Sequence, residues 1–394
     1  MSDREIKLLS LSNSSIEFGR YIIIPQLKLY LVQLGATAAH TGMFSIIANS
    51  VPTMSQPLFG WLIDILHKPR LILIVGSISA SLTVLLISLS NTIETILTDL
   101  LLLMISLSIL QLTLIVLLGI LTDRESRGKH TSPVMMASSL SSIIALLAGS
   151  LVFQGEVRSA IFYAVILSSL AFLFSGISIY FAKLRPSLLG FSLLKEFKIG
   201  FKDIKYRRFL FLNFFTSFSL STIWPIVPFI LVGRVGIGLG EYPLLLLSSN
   251  LVSLVAYYKV GDVLDKVGRK PVMILSKLML IAVPPAFLLV SDFYQTLLLY
   301  IFIGFPAAFE RISTNVYTID VTREEVRGSL SSIVNFLSGV GILLGTTFTS
   351  ILSSILLTYD LDYILYTMLA SFILRGANAL LHILFLQETS APMH

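Results

Sequence analysis

Gly261-Asp262-Val263-Leu264-Asp265-Lys266-Val267-Gly268-Arg269-Lys270 is the stretch that decides the fold. It is a short charged link between two apolar runs. An earlier stretch has the same spacing: Gly60-Trp61-Leu62-Ile63-Asp64-Ile65-Leu66-His67-Lys68-Pro69-Arg70. Gly60 and Asp64 recur as Gly261 and Asp265, 201 residues further on. A glycine in the last turn of an apolar helix lets another helix approach closely. An aspartate one turn later lies at the helix edge. There its carboxylate can sit against a neighbouring helix N-terminus, which carries about half a positive charge.

The repeat extends in both directions from this link. Pro25 recurs as Pro225, and Arg127-Gly128 as Arg327-Gly328, each at an offset of 200. Asp123 and Asp320 are 197 apart, as a shorter first-half loop requires. Self-similarity on this scale marks a duplicated architecture. The expected fold class is an all-α integral membrane protein with twelve transmembrane helices. They form two six-helix halves related by a pseudo-two-fold axis along the membrane normal. The halves are expected at 1–181 and 209–394, joined by a basic cytoplasmic linker at 182–208.

Composition supports a membrane setting. Of 394 residues, 55% are hydrophobic and only 13% charged, about half the usual charged share of a soluble domain. The mean hydropathy is +0.89. A soluble chain of this size could not hide that much apolar surface, because large domains bury only ~75% of theirs. This excludes an ordinary soluble enzyme, a nucleic-acid binder and a disordered chain. A bilayer span needs ~20 apolar residues. Twelve such runs are read, near 12–34, 40–64, 70–90, 97–121, 131–153, 159–181, 209–232, 242–264, 271–290, 294–319, 328–357 and 362–386. The first is expected to be a retained helix, since no small-residue cleavage site follows it.

Charge placement sets the orientation. Of 28 Lys and Arg residues, 22 fall on one side, including Lys68, Arg70, Arg127, Lys183 to Arg208, Lys266 and Lys277. Only Lys28, Arg158 and Arg234 fall on the other. The excess marks the cytoplasmic side, so both termini are expected there, in the cell membrane. The linker's Phe191, Leu194, Phe197, Ile199 and Phe201 predict an amphipathic helix on the inner surface, read as a tether between halves.

The link resembles the signature loop of the major facilitator superfamily, Gly-x-x-x-Asp-(Arg/Lys)-x-Gly-(Arg/Lys)-(Arg/Lys). Gly261, Asp265, Gly268, Arg269 and Lys270 match it fully. The first copy keeps Gly60, Asp64 and Lys68 and departs at Ile65, His67 and Pro69. The short loops are most similar to those of drug/proton antiporters. The resemblance implies a cytoplasmic latch that stabilises the outward-open state. Asp64 would face the region near Gly328, and Asp265 the region near Gly128, with Asp123, Arg127, Asp320 and Arg327 as latch partners.

Charges that do not repeat are the functional candidates. Arg20, Arg311 and Arg375 lie deep in spans, with Glu17 and Glu310 as the deep acids. A charge in mid-membrane costs from ~3 to above 10 kcal/mol, so each should face water or a partner. Glu17 and Arg20 are three apart and share a helix face. Glu310 and Arg311 are adjacent, ~100° apart, and cannot point the same way. The resemblance implies that helices 1, 4, 7 and 10 line a central cavity. Many family antiporters carry an Arg in helix 4; here Leu100 to Leu118 has none, and Gln111 is its most polar residue. Arg375 is read as structural, bonding carbonyls near Gly376. Pro25, Pro225 and Pro228 invite kinks, and Trp224-Pro225 is read as an outer gate. Phe211, Phe214, Phe215 and Phe218 form a stripe read as packing or lipid-facing. Gly339, Gly341 and Gly345 are read as close-packing positions.

The expected activity is secondary transport of a small organic solute by alternating access, with proton-coupled export of amphipathic compounds first. Uptake by proton symport is the alternative, followed by glycolipid flipping and a non-transporting sensor. Glu17, Arg20, Glu310 and Arg311 are the expected proton-coupling and cavity residues. The expected partners are the solute, protons and membrane lipids, with no nucleic acid, and the chain is expected to act as a monomer. Cysteine is absent, and the five histidines show no metal-ligand spacing. No phosphate-cradling loop or nucleophile elbow occurs. Neither metal, cofactor nor enzymatic activity is therefore expected.

Overall fold

The computed structural model describes residues 3–66, 68–121, 127–182, 203–322 and 327–389. Among them the regular structure is entirely helical. The long helices are α1 (Asp3–Gln33), α5 (Pro69–Leu89), α6 (Ile93–Leu121), α7 (Arg127–Val152) and α8 (Val157–Tyr180). They continue with α9 (Ile204–Ser221), α11 (Tyr242–Val267), α12 (Arg269–Ile281), α14 (Phe293–Val321), α15 (Arg327–Thr358) and α16 (Tyr363–Phe385). Aspartates start several of them. The Asp203, Asp292 and Asp362 side chains accept from the backbone N–H groups of Lys205, Gln295 and Leu365, which satisfies donors that a helix start leaves free.

Three expected spans are broken, each near prolines. The run 40–64 is α2 (Ala38–Ser45), a π-helical turn at Ile46–Ser50, α3 (Val51–Met54) and α4 (Gln56–Leu66). Pro52 and Pro57 remove two ladder donors there. The run 209–232 stops as α9 at Ser221. It resumes past Pro225 as α10 (Val227–Phe229) and a second π-helical turn, Ile230–Val235. The run 271–290 is split at Ala282, ahead of Pro284-Pro285 and α13 (Val283–Leu289). Among the described residues, eight helices are long and apolar enough to cross a membrane: α5 to α8, the α12–α13 pair, α14, α15 and α16. The other expected spans are α1, diluted by polar and charged residues, the two runs broken by π-helical turns, and α11. Of α11 only Tyr242–Tyr257 forms a shorter apolar helix. Leucines on the outward faces are bare: Leu82 is 60% exposed, Leu151 68% and Leu289 79%. That suits a lipid surround.

The chain divides into two compact units. The first comprises residues 1–34, 51–191 and 238–244. In it α1 packs on α7 and α8, while α5 packs on α6 and α8. Small polar side chains bridge these helices. Ser12 bonds Ser175 (2.8 Å), Asn13 donates to Ser138 (2.6 Å), Ser81 bonds Ser169 (2.7 Å) and Ser168 donates to the Gly19 carbonyl (2.8 Å). Such residues let backbones approach and supply interhelical hydrogen bonds.

The second unit comprises residues 35–50, 192–237 and 245–394. Here α9 packs on α15 and α16, and α12 on α14 and α16. A Cβ at Gly341 would lie 2.5 Å from the Phe214 carbonyl, and one at Gly345 would collide with that of Phe218. The absent side chains are what let α15 rest on the α9 backbone. The segment 35–50 docks on α15 in this unit. Thr41 donates to the Pro225 carbonyl (2.7 Å), Ser50 donates to the Gly339 carbonyl, and Ser350 donates to the Ala38 carbonyl (3.3 Å). The carbonyl at the break near Trp224-Pro225 is thus in use. Of the linker expected at 182–208, residues 183–202 and their amphipathic helix lie outside the described residues.

Candidate functional site

In the first unit, α1 and α6 bring three polar side chains together. Arg20 Nη1 lies 3.9 Å from Glu17 Oε1, and Gln111 Nε2 donates to the same oxygen at 3.4 Å. Both contacts are long, and neither charge is sealed: the Glu17 side chain is 18% exposed and that of Arg20 33%. Arg20 also lies over the Tyr21 ring, 5.7 Å from its centroid, a second seat of the cation–π kind. The Glu17 carboxylate is thus held loosely.

In the second unit, Glu310 and Arg311 diverge as their adjacency requires. Arg311 is exposed and its Nη1 reaches the Tyr257 hydroxyl of α11 at 3.4 Å. Glu310 turns to α12, where Lys277 forms an ion pair with Oε1. Ser276 donates to Oε2 (2.9 Å) and Thr314 to Oε1 (3.1 Å). The Lys277 side chain is 1% exposed. This corrects the placement of Lys277 among cytoplasmic charges: it lies two turns inside α12, held there by an acid on the neighbouring helix. A buried pair with two hydroxyl donors is held far more firmly than the Glu17 pair, since separating it would strand a desolvated charge. Arg375 is buried and donates to the carbonyls of Leu280 (2.8 Å) and Leu220 (3.2 Å), at the breaks after α12 and α9. Those carbonyls, and not ones near Gly376, are its partners.

The loop between α11 and α12 carries the second copy of the charged link. Gly268 has φ +99°, a conformation that side chains disfavour. Arg269 Nε reaches Asp320 Oδ2 at 3.2 Å and its Nη1 the Leu264 carbonyl at 3.1 Å. The Lys270 backbone N–H donates to Glu388 at 2.9 Å. In the first copy, Lys68 precedes α5 and is exposed. Among the described residues, a Cβ at Gly60 would meet Leu112, at an ordinary 3.9 Å. The side chains of Asp64, Arg127, Asp265 and Arg327, the surroundings of Gly261, and all of Asp123 lie outside the described residues.

Among known families, the Major Facilitator Superfamily profile matches residues 9–346 and 209–393. The chain belongs to the major facilitator superfamily. Solved structures carry the same fold. A bacterial homologue of the human lysosomal transporter Spinster, inward-facing and unoccupied, aligns with TM-score 0.79 at 12% identity over 100% of both chains. The nucleoside transporter NupG aligns with TM-score 0.76 at 15% identity over 98% of each. A POT family transporter in complex with 5-aminolevulinic acid aligns with TM-score 0.77 at 10% identity, over 98% of this chain and 97% of that one. No curated protein sequence matches the chain. As a major facilitator, the chain is an integral membrane transporter and not an enzyme.

Two residues of this superfamily member escaped the sequence reading. Lys277 follows a charged link and reads as more loop charge; its spacing of eight residues from Arg269 was the signal that it lies within the helix. Glu388 lies beyond the last apolar run, where hydropathy gives no reason to look.

Proposed function

We propose that this major facilitator is a proton-coupled secondary transporter that exports amphipathic compounds, with Glu17 as its coupling carboxylate. Twelve spans in two six-helix halves, expected at 1–181 and 209–394, rock about a midplane site and move the solute. The single observation behind the assignment is the loose Glu17–Arg20–Gln111 contact. When Arg20 leaves Glu17 for solute, the carboxylate takes up the coupling proton. Gln111 offers an amide in either state. Release follows when the pair re-forms on the opposite side. Glu310 is the less suitable carrier, because its partner Lys277 has nowhere hydrated to go.

Short loops and the loop link support export over uptake. Asp64 and Asp265 are assigned to the cytoplasmic latch, with both termini and the linker in the cytoplasm of a cell-membrane protein. Proteoliposomes with an imposed pH gradient test the reading, using a panel of amphipathic cations, nucleosides and short peptides. Flux of an amphipathic cation against the proton flow is expected. Co-directional flux would identify uptake instead, and no gradient-driven flux of any solute would overturn the assignment.

A further inference from the structure

The four residues after α16 are all engaged, although nothing in their hydropathy predicts it. The Leu386 side chain is 2% exposed, in a cluster with Tyr206, Phe209, Tyr317 and Leu330. The Gln387 carbonyl accepts from the Tyr317 hydroxyl of α14 at 2.9 Å. Glu388 reaches the start of α12: Oε1 accepts from the Arg269 N–H at 3.0 Å and Oε2 from the Lys270 N–H at 2.9 Å. Thr389 donates from its hydroxyl to Asp320 Oδ2 at 2.8 Å, the oxygen that Arg269 Nε also reaches.

The helix start needs this help. Gly268, at the N-cap position of α12, supplies no side-chain acceptor, so the first amides of the helix lack an internal partner. A carboxylate on two such amides gains from charge assistance and from the helix dipole. Gly268 also makes room for it, since a Cβ there would lie 2.7 Å from Glu388 Oε2. The glycine of the charged link thus has two local reasons, its positive φ and the carboxylate seated against it.

The first unit closes the equivalent joint with opposite polarity. Arg70 stands 200 residues before Lys270, at the start of α5. Its guanidinium donates to the Tyr180 carbonyl at the end of α8 and lies 5.5 Å over the Tyr180 ring. There a cation at the helix start takes the carbonyl end of the last helix. In the second unit an anion beyond the last helix takes the N–H end of the helix that follows the link. The same joint is fastened in both units by unrelated chemistry.

We infer that residues 386–389 form a clasp on the charged link, with Glu388 as the positioning residue that fixes the start of α12 and so presents Arg269 to Asp320. The link, the end of α14 and the end of α16 then move as one piece. Hydrogen exchange on the purified full chain in detergent tests this without any solute, so its outcome is independent of the transport reading. Glu388→Ala should speed exchange at the Arg269 and Lys270 amides roughly tenfold, the loss of a charge-assisted bond. It should also speed exchange at 318–322, with 70–72 unchanged. Glu388→Gln keeps one acceptor oxygen and should fall between. In an Arg269→Ala background, Glu388→Ala should add nothing at 318–322, because partners acting in series are not additive. Unchanged exchange at Arg269 and Lys270 would overturn the clasp. Faster exchange there with 318–322 unaffected would overturn the positioning role.

Discussion

Glu17 on α1 and Glu310 on α14 are both acids within long helices, yet their surroundings differ. Glu310 has a buried lysine and two hydroxyls, and Lys277 has no route to water. Removing one partner of such a pair costs about 3–5 kcal/mol, whereas replacing both with apolar side chains is often neutral. Lys277→Met should therefore lower the thermal unfolding midpoint in detergent sharply, and the double variant Lys277→Met with Glu310→Leu should recover most of the loss. A double variant no better than the single would contradict the bracing role. Glu17→Gln should leave the midpoint near that of the parent, because its contacts are long and half-open. The sequence exposed Glu17, Arg20, Glu310 and Arg311, because an unpaired charge in an apolar run is conspicuous. It could not rank them. Ranking depended on Gln111 and Lys277, which come from other helices and carry no periodic signal.

Helix contacts decide what each glycine does. α15 lies directly on the α9 backbone at Gly341 and Gly345, whereas Gly376 of α16 has nothing within 4 Å of its Cβ position. Gly345→Ala should thus overpack the contact at a cost of about 1–3 kcal/mol. Gly376→Ala should stabilise by about 0.5–1 kcal/mol, through the backbone freedom that glycine loses on folding. Unfolding midpoints of the two variants check both signs. The close-packing role of Gly341 and Gly345 was legible, because small residues spaced by four on an apolar helix mark one face. At Gly60 the described neighbour, Leu112, leaves room for a methyl group. The span reading ran through Ser221 and Ala282, where the helices break. The prolines announced a kink, but which carbonyls would be freed, and that Arg375 would collect two of them, depends on packing.

At the scale of the whole molecule, a 200-residue offset aligns links, prolines and Arg-Gly pairs, and predicts a duplication independently of any contact. Charge asymmetry predicts the orientation. The chain lacks cysteine, so a single Cys at Ser192 gives a clean test. It should react with a membrane-impermeant maleimide only after the cells are opened, and labelling of intact cells would contradict a cytoplasmic linker. Glu388 was invisible at this scale, because hydropathy ends with the last span while the fastening of α12 does not. The central claim is that the Glu17 carboxylate carries the coupling proton. Its most direct test compares two fluxes of one transported amphipathic cation in proteoliposomes containing Glu17→Gln: accumulation driven by an imposed pH gradient, and downhill exchange without one. Accumulation should be lost while exchange persists. Full gradient-driven accumulation by Glu17→Gln would contradict the claim.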